Sequence, residues 1–160
     1  MQQKQKNQQD MKVGDKIPAI LGTDAQGREI KAADFAGKKL IIYFYPKDNT
    51  PGCTAEACSL RDGYDSLQAA GYEIIGVSKD SAASHAKFAE KHNLPFTLIA
   101  DTEKTLNEAF GVWQLKKMCG RESMGTVRTT FLIDETGTVT DIINKVNTKD
   151  SANQILELKK

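Results

Sequence analysis

The run Leu40-Ile41-Ile42-Tyr43-Phe44-Tyr45, followed at once by Pro46, constrains the fold more than any other stretch. Six apolar residues without alternation suit a central strand, which needs a layer of structure on each face. Pro46 ends the strand and Lys47-Asp48-Asn49 turn the chain. Thr50-Pro51 then open a helix: threonine is a good N-cap, and proline suits the first helical position because its missing N–H would be unpaired there anyway. Cys53 falls at the third helical position. Free backbone N–H groups and the positive end of the helix dipole lie there, and both favour an anion. A thiol so placed is expected to be partly ionised, and the thiolate is the nucleophile.

The other elements fall into place around this unit. The helix is expected over residues 51–70, with Gly71 at its end and a bend at Gly63. A second central strand spans 72–78, a helix 81–92 is closed by Asn93, a strand spans 96–100 and a short helix 105–110. Residues 111–127 read as a long loop with short pieces of structure. A strand over 128–134 turns at Glu135-Thr136-Gly137 and pairs back over 138–147. Asp150 or Ser151 caps a last amphipathic helix whose apolar face is Ile155, Leu156 and Leu158. Upstream, a turn at Val13-Gly14-Asp15 leads into a strand ending near Gly22. Asp24-Ala25-Gln26-Gly27 turns it into a second short strand at 29–31, so an N-terminal β-hairpin precedes the central strand. One helical turn at 34–37 follows. Strands alternating with helices and finishing in a hairpin predict an α/β sandwich, a mixed central sheet flanked by helices.

Residues 1–10 are polar and of low complexity, and are expected to be disordered; residues 11–160 are expected to form one domain. The formal net charge is +1 with no basic block, which argues against nucleic acid as a partner. No apolar run approaches the roughly 20 residues of a membrane span, and the N-terminus has no signal-peptide pattern, so the expected location is cytoplasmic. Three cysteines are too few, and odd in number, for a disulfide framework. Cys53 and Cys58 are therefore read as chemistry.

The energetics of Cys53 call for a second group. A free thiol of pKa about 8.5 is only roughly 3% ionised at pH 7. Bringing the pKa to about 6 takes about 3.4 kcal/mol, whereas a helix end contributes about 0.3–2 kcal/mol. A cation is needed, and Arg128 is the candidate, because an arginine opening an apolar strand is rarely buried without an anionic partner. The competing reading makes Cys53 an inert buried thiol and Arg128 half of a surface ion pair.

The spacing Pro46-x3-Thr50-x2-Cys53, with Cys58 five residues beyond Cys53, resembles the active-site loop of peroxiredoxins, and more narrowly the bacterioferritin comigratory protein or peroxiredoxin Q group. The likeness runs from about Lys12 to the end of the chain. It implies a thioredoxin-like fold with N-terminal additions and a thiol-dependent peroxidase acting on hydrogen peroxide and organic hydroperoxides, without metal or organic cofactor. It implies that Arg128 contacts the thiolate and the peroxide, that Thr50 also positions the peroxide, and that Pro46 shields the sulfur from water. Pro46, Thr50, Gly52 and Arg128 would bind substrate. Cys53 would become a sulfenic acid, resolved by Cys58 as an intramolecular disulfide. Thioredoxin, or less readily glutaredoxin, would reduce it, and the protein would be monomeric.

Geometry adds a condition. Five residues along a helix separate two Cα atoms by about 8.7 Å. A disulfide wants about 6.8 Å or less, so the first turns must unwind in each cycle.

Other residues carry weaker signals. Glu56 shares a face with Cys53 and either orients an arginine or water there or is simply a first-turn charge favoured by the dipole, the reading preferred. Cys119 is read as inert, with a partner for the sulfenic acid as the alternative. Trp113 is read as packing or as a wall of the pocket. His85 and His92, about 10.5 Å apart along one helix, are too far apart to share a metal and are read as solvent-facing. Two other classes remain open: a thiol–disulfide oxidoreductase acting on proteins, disfavoured by the absence of Cys-x-x-Cys, and a metal module built from Cys53, Cys58 and a histidine.

Overall fold

The computed structural model describes residues 11–118 and 120–158. The polar lead 1–10 and Cys119, on which expectations were stated, lie outside the described residues. β1 (Ile20–Thr23) pairs antiparallel with β2 (Glu29–Lys31) about a turn in which Gly27 has φ 82°, so the N-terminal hairpin is present. A 3-10 turn, Ala32–Phe35, leads to β3 (Lys39–Phe44). Instead of one helix over 51–70 there are two, α1 (Pro51–Asp62) and α2 (Tyr64–Ala69), broken at Gly63. A Cβ at position 63 would collide with the Cβ of Ala152, so glycine is required there by close packing.

β4 (Tyr72–Ser78) is followed by α3 (Ala82–His92). The Ser81 hydroxyl accepts from the Ser84 N–H at 3.1 Å to cap α3, and Asn93, at φ 51°, ends it in the left-handed region. β5 (Thr97–Ala100) and α4 (Thr105–Ala109) come next.

Residues 111–127 are not a loop. They form an antiparallel hairpin, β6 (Trp113–Met118) with β7 (Arg121–Thr126), in a register running from Trp113 opposite Thr126 to Met118 opposite Arg121. Leu115 faces Met124 across it, and both are at least half exposed. The hairpin has little buried face, so its sequence lacks the in–out alternation that marks a strand.

β8 (Thr129–Ile133), β9 (Val139–Ile143) and α5 (Ser151–Leu158) complete the chain. In α5 Ala152 and Ile155 are buried and Leu156 packs on the core, whereas Leu158 is half exposed and lies outside the face assigned to it.

The central sheet has the order β5-β4-β3-β8-β9. β3, β4 and β5 run parallel; β8 lies antiparallel to β3, and β9 to β8. Side chains alternate between two cores. Ile41, Tyr43 and Tyr45 meet Ala57, Leu60, Leu67, Phe88 and Ile155 on one face; Leu40, Ile42 and Phe44 meet Leu106, Phe110 and Phe131 on the other. Each such side chain contributes about 1.5–3 kcal/mol by leaving water. At the β5 edge, Asp24 bridges to Ile99, and a Cβ on Gly22 would come within 2.7 Å of the Ile99 side chain. The hairpin of β1 and β2 closes that edge.

The register of β3 with β8 positions the site. Phe44, the last residue of β3, lies opposite Thr129. Arg128 therefore enters the sheet beside the point where β3 gives way to the loop leading to α1.

Candidate active site

Thr50 is the N-cap of α1 by position, with extended backbone (φ −92°, ψ 153°), and Pro51 is the first helical residue. Its side chain does not cap the helix, contrary to expectation. The hydroxyl donates instead to the Lys47 carbonyl at 2.9 Å, and so closes the Pro46-to-Thr50 loop on itself. Asn49 holds the left-handed conformation that the tight loop requires (φ 64°). Pro46 lies partly buried at the exit of β3.

Cys53 occupies the first turn of α1 and is only 1% exposed. Arg128 Nη2 lies 3.4 Å from its Sγ, and Nη1 donates to Glu56 Oε1 at 2.8 Å. One guanidinium thus bridges the sulfur and a fully buried carboxyl. Burial opposes the charge on Arg128, but Glu56 and Cys53 outweigh it and hold its pKa above the usual arginine value. Gly52 makes room for this: a Cβ there would stand 3.1 Å from Nη2. The glycine leaves the guanidinium seated against the helix N-terminus.

Glu56 is not the solvated first-turn charge preferred from sequence. It is completely buried and paired to Arg128. Burial pushes its carboxyl up to about 7, against the pull of Arg128, and its Oε2 has no hydrogen-bond partner among the described residues.

Cys58 lies further along the same helix, partly buried, and both cysteines are free thiols. The two sulfurs face different neighbours: Cys53 meets Arg128, whereas Cys58 Sγ lies 3.8 Å from His92 Nδ1. Trp113 opens β6, with the Lys104 ammonium 5.4 Å above its ring.

Residues 13–142 match the AhpC/TSA family. The chain belongs to the AhpC/TSA family. It is similar to Peroxiredoxin Bcp of Bacillus subtilis, 48% identical over 147 residues that cover 92% of this chain and 94% of the relative. Among solved structures it resembles the Xanthomonas campestris bacterioferritin comigratory protein, described for its alkyl peroxide reduction activity, at 36% identity and a TM-score of 0.79 over 85% of this chain and 87% of the other. A cysteine-to-serine mutant of Xylella fastidiosa PrxQ superposes with a TM-score of 0.85 at 30% identity, over 95% of this chain and 98% of the other. The chain is thus a peroxiredoxin of the Bcp and peroxiredoxin Q group, with the thioredoxin-like fold of those neighbours, and a thiol-dependent peroxidase. An enzyme of this kind acts on peroxides and calls for a thiol reductant. Among the described residues no helix is long and apolar enough to cross a membrane.

In this peroxiredoxin the loop before Cys53 has a buried anchor that sequence reading missed. Asp48 is 4% exposed. Its Oδ1 accepts from the Tyr45 hydroxyl at 2.7 Å; its Oδ2 accepts from the Ser84 hydroxyl at 2.7 Å and lies 2.8 Å from His85 Nδ1. The Asp48 N–H donates to Asp80 Oδ2 at 2.7 Å. His85 Nε2 meets the Ile99 carbonyl at 2.9 Å. His85 is therefore fully buried in α3 and clamps the loop to β5, contrary to the solvent-facing reading. The partners lie 36 and 37 residues apart in the chain, and no local spacing announces them.

Burial works against the Asp48 carboxylate. Hydrogen bonds from His85 and Tyr45, the charge of His85 and the Ser84 hydroxyl outweigh it and hold its pKa below the usual value. A depressed carboxylate adds stability that is present above its unfolded pKa of about 3.9 and is lost as pH falls through the native one. Asp48→Asn is accordingly expected to be less stable than wild type at pH 7. It should lose less between pH 5 and pH 2, as measured by urea unfolding; equal acid losses would refute the pairing.

Proposed function

We propose that Cys53 is the peroxidatic nucleophile and Cys58 the resolving thiol of an intramolecular-disulfide peroxidase. The observation that carries this reading is the 3.4 Å approach of Arg128 Nη2 to Cys53 Sγ at the first turn of α1. A cation and a helix N-terminus there both favour the ionised sulfur.

The thiolate attacks the terminal oxygen of a hydroperoxide. The S–O bond forms, the O–O bond breaks, and the departing alkoxide or hydroxide takes up a proton, leaving Cys53 as a sulfenic acid. Arg128, with the backbone N–H groups of the first turn of α1, would stabilise the charge that develops on the leaving oxygen. Thr50 and Pro46 border the approach, Thr50 with its hydroxyl oxygen as an acceptor and Pro46 as an apolar lid without a donor. Chemistry of this kind takes hydrogen peroxide and organic hydroperoxides. Cys58 then displaces hydroxide from the sulfenic sulfur. Because both cysteines occupy one continuous helix, the disulfide requires the start of α1 to unwind.

The reading extends to a thioredoxin-type dithiol protein as reductant, glutaredoxin being the weaker candidate. It also extends to a monomer, to a cytoplasmic location, and to one catalytic domain over 11–160 behind a polar lead.

A single-turnover experiment tests the two cysteine assignments. Reduced protein given one equivalent of hydrogen peroxide should lose two thiols rapidly and gain one disulfide. Cys53→Ser should lose neither at a comparable rate. Cys58→Ser should lose one and retain a sulfenic acid that dimedone traps and excess peroxide overoxidises. Slow, equal thiol loss in wild type and Cys53→Ser would end the proposal.

A further inference from the structure

We infer that His92 is a catalytic base of the resolving step, taking the proton of Cys58 before that sulfur attacks the Cys53 sulfenic acid. The inference rests on Cys58 being the resolving thiol.

The contact is built, since two elements hold it from both sides. Cys58 Sγ lies 3.8 Å from His92 Nδ1, within reach of a hydrogen bond to sulfur, although 34 residues separate them in the chain. The His92 ring stands edge-on to Phe88, with centroids 5.1 Å apart. Arg61, one turn beyond Cys58 on α1, donates from Nη1 to the His92 carbonyl at 2.8 Å. That bond ties the Cys58 turn of α1 to the end of α3. The contact can therefore outlast an unwinding that begins at Pro51, so that Cys53 is the sulfur that travels.

The electrostatics suit a base. Among the described residues, Cys58 and Arg61 from α1, and Lys91 from α3 itself, are the charged or titratable groups that act on the ring. Burial first, then Lys91 and Arg61, hold the His92 pKa below its ordinary value. Near pH 7 the ring is neutral, and with its proton on Nε2 it presents the Nδ1 lone pair to the thiol. Once formed, the imidazolium sits in the last turn of α3, where the helix dipole favours a cation. Arg61 also interacts with Cys58.

The step balances. The Cys58 S–H bond breaks and its proton passes to His92 Nδ1. The thiolate forms an S–S bond to Cys53 while the S–O bond of the sulfenic acid breaks. The departing hydroxide takes the proton from His92 and leaves as water. The sulfenic sulfur is reduced, the Cys58 sulfur is oxidised, and the imidazole returns to its neutral form.

A free thiol of pKa about 8.5 is roughly 3% ionised at pH 7, so an adjacent base can speed resolution by at most roughly thirtyfold there. At pH 9.5 an unassisted thiol is about 90% ionised and the advantage vanishes. The test uses full-length protein carrying Cys119→Ser, so that Cys58 is the only partner for Cys53. One equivalent of hydrogen peroxide is added, and dimedone-trapped sulfenic acid and disulfide are followed by quenched mass spectrometry. In His92→Gln and His92→Asn, the peroxide-dependent loss of the Cys53 thiol should keep its rate. The later, peroxide-independent disulfide step should slow by about tenfold or more at pH 7 and recover by pH 9.5. Resolution at the wild-type rate at pH 7, or an equal slowing at every pH, would overturn the role of His92. Rapid disulfide-free turnover in this background, or no persistent sulfenic acid in Cys58→Ser, would instead remove Cys58 as the resolving thiol.

Discussion

Arg128→Met is expected to slow the oxidation of Cys53 by hydrogen peroxide by about a hundredfold to a thousandfold. That is the range lost when one donor aimed at developing charge is removed from a preorganised site. The guanidinium is the one side-chain cation hydrogen-bonded to Cys53 among the described residues, and it does two things at once. Nη2 favours the ionised sulfur and then the leaving oxygen; Nη1 satisfies a buried carboxyl. The substitution therefore strands Glu56, and breaking a buried pair from one side costs about 3–5 kcal/mol. Stability and rate must be separated. Arg128→Met with Glu56→Gln leaves no buried unpaired charge, and should recover much of the stability without recovering the rate. Stopped-flow oxidation and urea unfolding of both variants decide the matter. If Arg128→Met alone keeps its rate within a few-fold, the guanidinium is only structural.

The second large effect concerns pH. Glu56 carries a native pKa of about 7 against roughly 4.3 for a free glutamate. The native state therefore holds a proton that the unfolded state has released. Stability should fall as pH rises from about 4.5 to 7 and level off above that, a loss on the order of 3 kcal/mol from this one group. Glu56→Gln cannot ionise, yet its amide oxygen can still accept from Arg128. Its stability should be flat across the same window, so the variant gains on wild type as pH rises. Urea midpoints at pH 5 and pH 8 check this, and parallel pH profiles would refute it. Among the described residues Oε2 has no hydrogen-bond partner, which is the structural mark of the burial being measured.

Much of this architecture can be read from the chain. β3 and β4 announce themselves as apolar runs covered on both faces. α3 is bounded by Ser81 and Asn93, each of which has a local physical reason to sit at a helix end. The pairing of Cys53 with Arg128 follows from two local oddities, a thiol in a first helical turn and an arginine at the mouth of a buried strand. What stays hidden is whatever depends on side chains meeting from distant segments. Glu56 looks like any acid favoured by a helix dipole until β8 brings Arg128 across. Asp48 looks like a turn residue until α3 delivers Ser84 and His85. Thr50 has the chemistry of a capping residue, but the tight loop before it offers the Lys47 carbonyl first. The hairpin of β6 and β7 escapes because Leu115 and Met124 are left in water, and a strand without a buried face has no period to read.

The notch at Gly63, into which Ala152 of α5 fits, limits how much chain must be rebuilt after each turnover. Melting that starts at Pro51 meets a packed backbone junction there, so at most the 12 residues of α1 are released. At about 1–2 kcal/mol of ordering entropy per residue, every turn of helix spared is a substantial saving. Recovery of the reduced enzyme is then a short local annealing against an intact sheet, and its speed need not depend on the folding of the rest of the molecule.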